Sequence, residues 1–140
     1  MQINRIIFIS QDRFSERNFK RFGIQLLMDR GFHVEFWECS PFLRPLLFEA
    51  YNPPDAFTFP GFKLFHSEKL LVEAINKLTP SDIVLTSLGG VQRKTRKMYK
   101  KISERGVFWG ENITGKVPIP PELKGFKIRA EKLFRNPVLL

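Results

Sequence analysis

The sequence has few of the residues from which disulfides, metal sites and membrane segments are built. Its single cysteine, Cys39, excludes an internal disulfide and a cysteine-based zinc site. The two histidines, His33 and His66, give no metal-ligand spacing. No apolar run approaches the roughly 18 residues of a transmembrane helix, and no signal-peptide pattern opens the chain. We therefore expect no metal and no transmembrane segment, and a cytoplasmic location, with the inner face of the membrane as the alternative.

Several well-known catalytic and cofactor motifs are also missing. The chain contains neither the dinucleotide pattern G-x-G-x-x-G nor the phosphate-loop pattern G-x-x-x-x-G-K-[ST]. It has no nucleophile elbow G-x-S-x-G, no Ser/His/Asp set and no close pair of carboxylates. The sequence therefore predicts no cofactor and identifies no catalytic residue. A receiver-like signalling domain is disfavoured as well, because its central strand should end in a phosphoacceptor Asp and this one ends in Thr86-Ser87.

The bulk composition is that of one soluble globular domain. A chain of 140 residues with 43% hydrophobic residues can bury about two-thirds of its unfolded surface. The fifteen phenylalanines occur in every segment, so they are expected to fill a core rather than line one site. We treat residues 1–140 as a single domain, either complete or the first half of a larger protein.

The stretch from Asn4 to Gly31 predicts a strand, a polar loop and a helix. Ile6–Ile9 is a continuous β-branched and aromatic run, which is typical of a strand covered on both faces. After the loop Ser10–Phe14, Ser15 stands where a helix N-cap belongs. Apolar residues then recur at helical spacing, and Gly31 is placed to end a single helix.

The rest of the chain repeats this alternation of strands and helices. Two prolines in Ser40–Pro45 predict a break in regular structure, and Leu46–Tyr51 is either a short helix or a wall of the core. The other predicted elements are strands at Phe32–Cys39, Phe62–Phe65, Ser81–Leu88 and Val107–Trp109, and helices at Leu70–Leu78 (capped by Ser67), Thr95–Arg105 and Glu122–Arg135.

This alternation predicts an α/β fold. We expect a three-layer, doubly wound, Rossmann-like sandwich with a mainly parallel five-stranded sheet in the order 3-2-1-4-5. If Phe62–Phe65 were not a strand, the order would be 2-1-3-4-5. In either case, ligands are expected outside the carboxyl ends of the strands, at the switch point beside strand one.

Three loops at the predicted carboxyl ends are candidate ligand-binding segments. They are Ser10–Arg13, Thr86–Gly90 and Gly110–Gly115. Hydroxyls, glycines and amides in such loops allow close approach by a ligand. The first two segments also have a purely structural interpretation. Asp12 and Arg13 could instead pair with each other or with the neighbouring helix, and Thr86–Gly90 could instead form a tight turn between a strand and a helix. The candidate residues are Ser10, Gln11, Asp12, Arg13, Thr86, Ser87, Gly89, Gly90 and Asn112.

The positive charge is concentrated in the last third of the chain. Residues 1–92 contain ten Lys/Arg and ten Asp/Glu, whereas residues 93–140 contain thirteen and four and carry the whole net charge of +9. A helix beginning near Thr95 would carry the basic residues on its outer side, where they could contact an anionic partner or simply be solvated. The candidate anion-binding residues are Arg93, Arg96, Lys97, Lys100 and Lys101.

Three stretches resemble a known class of proteins. IIFISQDRFSERNFKRFGIQLLMDRGFHVEFWE, LTPSDIVLTSL and ITGKVPIP are similar to the N-terminal Rossmann-like region of glycosyltransferase-like proteins from surface-polysaccharide biosynthesis. The likeness covers about residues 4–120 and resembles the first half of the B-type two-domain glycosyltransferase fold. It implies that this half shapes the acceptor side, while a second domain or partner chain binds most of the sugar nucleotide.

The sequence therefore supports two functional hypotheses. The first is a glycosyltransferase-like domain of surface-polysaccharide biosynthesis that contributes an acceptor-side cleft and is not catalytically complete alone. Its ligand would be a glycan acceptor or a sugar nucleotide. The second is a non-catalytic binding module whose basic helix contacts nucleic acid, phosphates or a membrane surface.

Overall fold

A five-stranded, fully parallel sheet forms the centre of the molecule. The computed structural model describes residues 2–112. The strands are β1 (Arg5–Ser10), β2 (His33–Glu38), β3 (Phe62–Leu64), β4 (Asp82–Ser87) and β5 (Phe108–Glu111). They lie in the order β3-β2-β1-β4-β5, with every neighbouring pair parallel. The predicted α/β class and the order 3-2-1-4-5 are confirmed. Because the segment after Gly61 does form a strand, the alternative order does not apply.

Helices cover both faces of this sheet. They are α1 (Glu16–Arg21), α2 (Ile24–Asp29), α3 (Ser40–Leu43), α4 (Pro45–Ala50), α5 (Glu68–Ile75) and α6 (Arg96–Glu104). One core joins Ile7, Ile9 and Val84 to the buried stripes of α5 and α6. A second core joins Ile6 and Phe8 to Ile24 of α2 and to residues that flank it. Successive β1 residues enter opposite cores because side chains alternate across a strand, and this produces three layers.

The predicted single helix after β1 is two helices. Ser15 does cap α1, since its hydroxyl accepts a hydrogen bond from the amide of Asn18. The helix then ends because Gly23 adopts the left-handed conformation with φ of 65°, which glycine adopts without a Cβ penalty. Gly31, with φ of 92°, ends the second helix instead. The apolar residues keep their helical spacing across Gly23, so the sequence pattern did not indicate a break between two helices.

The proline-containing segment after β2 is also more regular than predicted. Pro41 and Pro45 lie in the first turns of α3 and α4, where the missing amide hydrogen costs nothing. The expected break is therefore a pair of short helices, and Leu46–Tyr51 is mostly helix α4. Gly110 and Glu111, predicted to lie in a loop, belong to β5. The predicted loop residues 113–116 and the helix Glu122–Arg135 lie outside the described residues.

A charge network connects the amino ends of the central strands. Arg5 donates to Asp82 through Nε at 3.0 Å and Nη2 at 2.9 Å, and to Glu35 through Nη1 at 2.8 Å. Lys63 of β3 pairs with the same Glu35, whose side chain is only 1% exposed. The network therefore lies at the edge of the sheet opposite the carboxyl ends of the strands. None of the helices within residues 2–112 combines the length and apolar character needed to cross a membrane.

Candidate functional site

The loops that follow β1 and β4 are neighbours at the carboxyl edge of the sheet. Ser10 is in register with Ser87 on one side and with Glu38 on the other. Just beyond, the amide of Gln11 donates to the carbonyl of Ser87 at 3.4 Å. The chain adds β2 and β3 on one side of β1, and then β4 and β5 on the other side. The gap between β1 and β4 is therefore the topological switch point, beside which α/β proteins bind ligands.

A polar cleft of about 490 Å³ opens at this edge beside β1. One wall comes from the loop after β1 and from α1, and the other from α4 and the turn that follows it. We call it the arginine cleft, because four arginines are among its lining residues. The lining consists of Asp12, Arg13, Ser15, Arg17, Asn18, Arg21, Arg44, Leu47, Tyr51, Pro53, Pro54 and Asp55.

Glu38, the last residue of β2, fixes the loop that forms the first wall. Its buried carboxylate accepts hydrogen bonds from the amide of Phe14 at 2.6 Å and from Nη1 of Arg13 at 3.2 Å. It also accepts from the hydroxyl of Ser40. Asn18 of α1 completes the attachment by donating to the carbonyl of Arg13 at 3.1 Å. The loop is therefore held rigidly at the cleft, as preorganised binding requires.

Arg13 connects this loop to the second wall. Its Nη2 donates to Asn52 at 3.3 Å, and its guanidinium lies 4.4 Å from the centre of the Phe48 ring. The Nε of Arg13 is buried and has no hydrogen-bond partner among residues 2–112. Arginine at this position thus acts as a brace across the cleft, combining an ion pair with a cation–π contact.

Two further contacts close the ends of the cleft. Arg44 pairs with Asp12 at 3.3 Å, and both side chains are about half exposed. Asp55 caps the start of α1: its side chain accepts from the amide of Arg17 and its carbonyl accepts from the amide of Glu16, both at 3.0 Å. Because protein groups already occupy these amides, a ligand in the cleft would be bound through side chains.

The predicted residues of the first loop divide between structural and accessible positions. Ser10 is buried, and its hydroxyl accepts from the amide of Asp12 at 3.1 Å. Gln11 is half-buried and extends toward Gly89. Asp12 and Arg13 line the arginine cleft. Asp12 pairs with Arg44, and Arg13 pairs with Glu38. The alternative role, in which the two residues pair with each other or with the helix that follows, is therefore wrong.

Of the next group of predicted residues, Thr86 and Ser87 end β4, whereas Gly89 and Gly90 lie in the bend that follows it. Thr86 is fully buried, and its Oγ1 lies 3.0 Å from the hydroxyl of Tyr99. Gly89 and Gly90 have φ of 71° and 86°, which strongly favours glycine at both positions. Ser87 is half-buried. None of these four residues is part of the lining of the arginine cleft, and their ligand-binding role stays a prediction.

Tyr99 and Cys39 are two reactive groups that the fold keeps protonated. Burial raises the pKa of Tyr99, and the charge of nearby Glu111 adds to this against the opposing hydrogen bond with Thr86. Burial also raises the pKa of the Cys39 thiol, with a contribution from the charge of Glu38. Neither group has the depressed pKa of an activated nucleophile.

Asn112 lies in a different hollow, on the α1–α2 side of the sheet. This hollow, of about 570 Å³, has a mixed lining, in which Phe8, Phe22 and Leu85 are apolar and Glu111 is acidic. Arg21 lines both this hollow and the arginine cleft. The structure thus separates Asn112 from Asp12 and Arg13.

The predicted basic helix is present as α6. Met98, Tyr99 and Ile102 are buried against the sheet, so the basic side chains point outward. Arg93, Arg96, Lys97 and Lys100 are exposed, and Lys101 is partly exposed. Within the described residues, Lys97 lies 3.8 Å from Glu68 and Lys101 lies 3.4 Å from Glu104. Ion pairs as exposed as these leave most of the positive potential intact.

The sequence prediction missed most of the arginine cleft. It missed Arg44, Tyr51 and Asp55 because this wall comes from a proline-containing segment in which no regular structure was predicted. It also missed Arg17 and Arg21, which lie on α1 in the other wall. Proline in the first turn of a short helix was the available signal. No group of three or more His, Cys, Asp or Glu side chains suited to a metal occurs in the part of the chain that the structure describes.

Comparison of the chain with protein-family models, with curated proteins and with solved structures found no match.

Proposed function

We propose that this chain is a Rossmann-like domain of a glycosyltransferase-like protein of surface-polysaccharide biosynthesis, and that the arginine cleft is its acceptor-side site. The observation that carries the proposal is the position of the cleft. It opens outside the carboxyl ends of β1 and β2, and open α/β sheets bind their ligands outside the carboxyl ends of the strands.

The lining of the cleft suits a sugar better than an apolar ligand. Asp12, Asn18 and Asp55 offer carboxylate and amide groups that can hydrogen-bond to hydroxyls. Tyr51, 47% exposed at the same cleft, offers a ring face and a hydroxyl. A polar cleft with one accessible aromatic ring can select a sugar ring through both its hydroxyls and its C–H face.

The resemblance to two-domain glycosyltransferases implies that the proposed enzyme needs two parts. This domain orients the acceptor through α1 and α4, and a second domain or partner chain supplies most of the sugar-nucleotide site. The transfer step then needs both parts. We therefore expect the chain alone to bind glycans without transferring a sugar.

Titration of the full chain with glycan acceptors and sugar nucleotides tests this proposal. Tyr51→Ala should weaken acceptor binding about fivefold or more, corresponding to roughly 1 kcal/mol. Phe108→Ala is the matched control, because it removes an exposed aromatic ring at the opposite edge of the sheet. Absence of glycan binding, or equal losses in the two variants, would contradict the proposal.

A second candidate function rests on a separate surface, the outer face of α6. Its exposed basic residues suit an anionic partner. Nearby, Lys94 shares a hollow of about 310 Å³ with Arg44 and Leu46, and Leu46 is 81% exposed. An exposed leucine among basic residues favours an anionic membrane surface over nucleic acid, because it gains by leaving water for the bilayer interface.

Co-sedimentation with phosphatidylcholine vesicles, with and without phosphatidylglycerol, tests this second function. Binding should require the anionic lipid and fall with added salt. The double variant Lys97→Gln/Lys100→Gln should bind less than Lys69→Gln/Lys77→Gln, which removes one exposed lysine from α5 and one from the turn after it. Salt-independent binding, or binding to nucleic acid alone, would count against a membrane partner.

A further inference from the structure

The charges of the arginine cleft are unevenly compensated. Among its four arginines, Arg13 is paired with Glu38 and Arg44 with Asp12. No carboxylate within residues 2–112 forms an ion pair with Arg17 or Arg21. The remaining acidic residue of the lining, Asp55, is directed at the backbone amide of Arg17. The uncompensated positive charge of the cleft is therefore contributed by one stretch of α1.

Arg17 and Arg21 project from the same side of that helix. They are four residues apart, the spacing at which side chains on a helix are neighbours, and both line the arginine cleft. Lys20 lies between them in sequence but is paired with Glu16 at 3.1 Å. Two like charges at this spacing repel each other, and an anion bound between them would remove the repulsion.

Guanidinium groups restrict the type of anion. Each presents parallel N–H donors that match the two oxygens of a carboxylate or a phosphate. The backbone amides at the start of α1 are already used by Ser15 and Asp55. Selectivity must therefore come from the arginine side chains themselves.

We propose that the ligand of the arginine cleft carries an acidic group, a carboxylate or a phosphate, which Arg17 and Arg21 bind together. This rests on the proposed acceptor role of the cleft and adds the chemical class of the acceptor to it. The rigid loop held by Glu38 and the brace formed by Arg13 place the rest of the sugar. The two arginines on α1 then distinguish an acidic sugar from a neutral one.

Binding of three probes to the full chain tests the inference. They are an oligosaccharide containing uronic acid, the same oligosaccharide after reduction of its carboxyl groups, and a sugar phosphate. The acidic probes should bind about tenfold or more tightly than the neutral one, the size expected for charged hydrogen bonds. Preference for the uronic acid or for the sugar phosphate identifies the source of the acidic group.

Substitutions test whether the preference for acidic probes depends on the two arginines. Arg17→Gln/Arg21→Gln should lose this preference and bind acidic and neutral probes alike, whereas Lys20→Gln should keep it. Thermal unfolding of each variant checks the fold, and the affinity for the neutral probe checks that the cleft is intact. Equal binding of acidic and neutral probes by the unmodified chain would overturn this inference alone. Failure of all three probes to bind would overturn the proposed function with it.

Discussion

Glu38 is the residue on which the geometry of the arginine cleft depends most. It is 3% exposed and accepts from the amide of Phe14, from Arg13 and from Ser40. A buried carboxylate with three donors is well compensated, but each donor loses its partner when the carboxylate is removed. The first loop and the brace across the cleft therefore share one anchor.

Glu38→Ala should lower the free energy of unfolding by about 3–5 kcal/mol, because it leaves the largely buried guanidinium of Arg13 without its counter-ion. Glu16→Ala is the matched control. It removes an exposed ion pair with Lys20 and should cost less than about 1 kcal/mol. Chemical denaturation of both variants measures the difference, and similar losses would contradict the anchoring role.

At the scale of single residues, the sequence predicted positions better than roles. Asp12 and Arg13 were candidates because they follow a buried strand, and both do line a cleft. Thr86 was a candidate for the same reason, but its hydroxyl faces Tyr99 inside the core. Side chains alternate across a strand, so a residue at the end of a strand can face either a helix or the solvent. Which of the two it faces depends on where a helix distant in sequence packs. Arg17 and Arg21 were missed because a basic helix face is usually only solvated.

Among the elements, strands were predicted more accurately than helices. The buried runs of β1 and β4 have few alternatives in a chain of this composition. The strand that follows each of them in sequence lies beside it in the sheet, as consecutive strands usually do. The helices α1 and α2 share one apolar stripe, so their break depended on the conformation of Gly23 alone. Helices α3 and α4 were obscured because proline both ends and begins helices.

The attachment of β3 depends on a close approach at one glycine. A Cβ on Gly61 would overlap the carbonyl oxygen of Val34 and lie 2.7 Å from Cε2 of Phe59. The amide of Phe36 donates to the carbonyl of Gly61 at 2.9 Å, so the two chains cannot separate without losing a ladder hydrogen bond. β3 can dock beside β2 only if no side chain is present at this position.

Gly61→Ala should therefore destabilise the protein by about 2 kcal/mol or more, the usual cost of overpacking against backbone. Gly110→Ala provides the comparison, because among the described residues a Cβ there would meet only Leu85, at 4.0 Å. We expect that change to be within about 0.5 kcal/mol of the parent. Urea denaturation compares the two variants, and an unaffected Gly61→Ala would show that β3 is not held as described.

At the scale of the whole molecule, the amino ends and the carboxyl ends of the strands carry different structures. The amino edge holds the buried network of Arg5, Glu35 and Asp82, whereas the carboxyl edge holds the arginine cleft. Burial opposes ionisation of Glu35 and of Asp82. The hydrogen bonds from Lys63 and Arg5 outweigh it at Glu35, and those from Arg5 and Thr79 outweigh it at Asp82, so the pKa of each carboxyl is lowered.

This network should make the protein sensitive to acid. The folded-state pKa values lie below those of the unfolded chain, so the contribution is complete above about pH 4.5 and is lost as the pH falls through the lowered values. Lys63 and His33 also face Glu35, with Nε2 of His33 3.5 Å from its carboxylate. We therefore expect the free energy of unfolding to decrease steeply below about pH 4.

Arg5→Met identifies the source of this dependence. At neutral pH it should cost about 3 kcal/mol, because two buried carboxylates lose a shared partner. Their pKa values should then rise, and the fall in stability at acid pH should become shallower. Arg30→Met removes an exposed arginine at the end of α2 and should keep the original pH profile. Identical profiles for the Arg5 variant and the parent would rule out the network as the cause.

The central claim is that the carboxyl edge binds its ligand between α1 and α4. The most direct measurement is chemical-shift mapping of the isotope-labelled full chain during titration with an oligosaccharide containing uronic acid. The account predicts that the shifts are concentrated in residues 12–21 and 44–55, the two walls of the arginine cleft. Shifts confined to α6 or to the turn after β4, or no shifts at all, would contradict it.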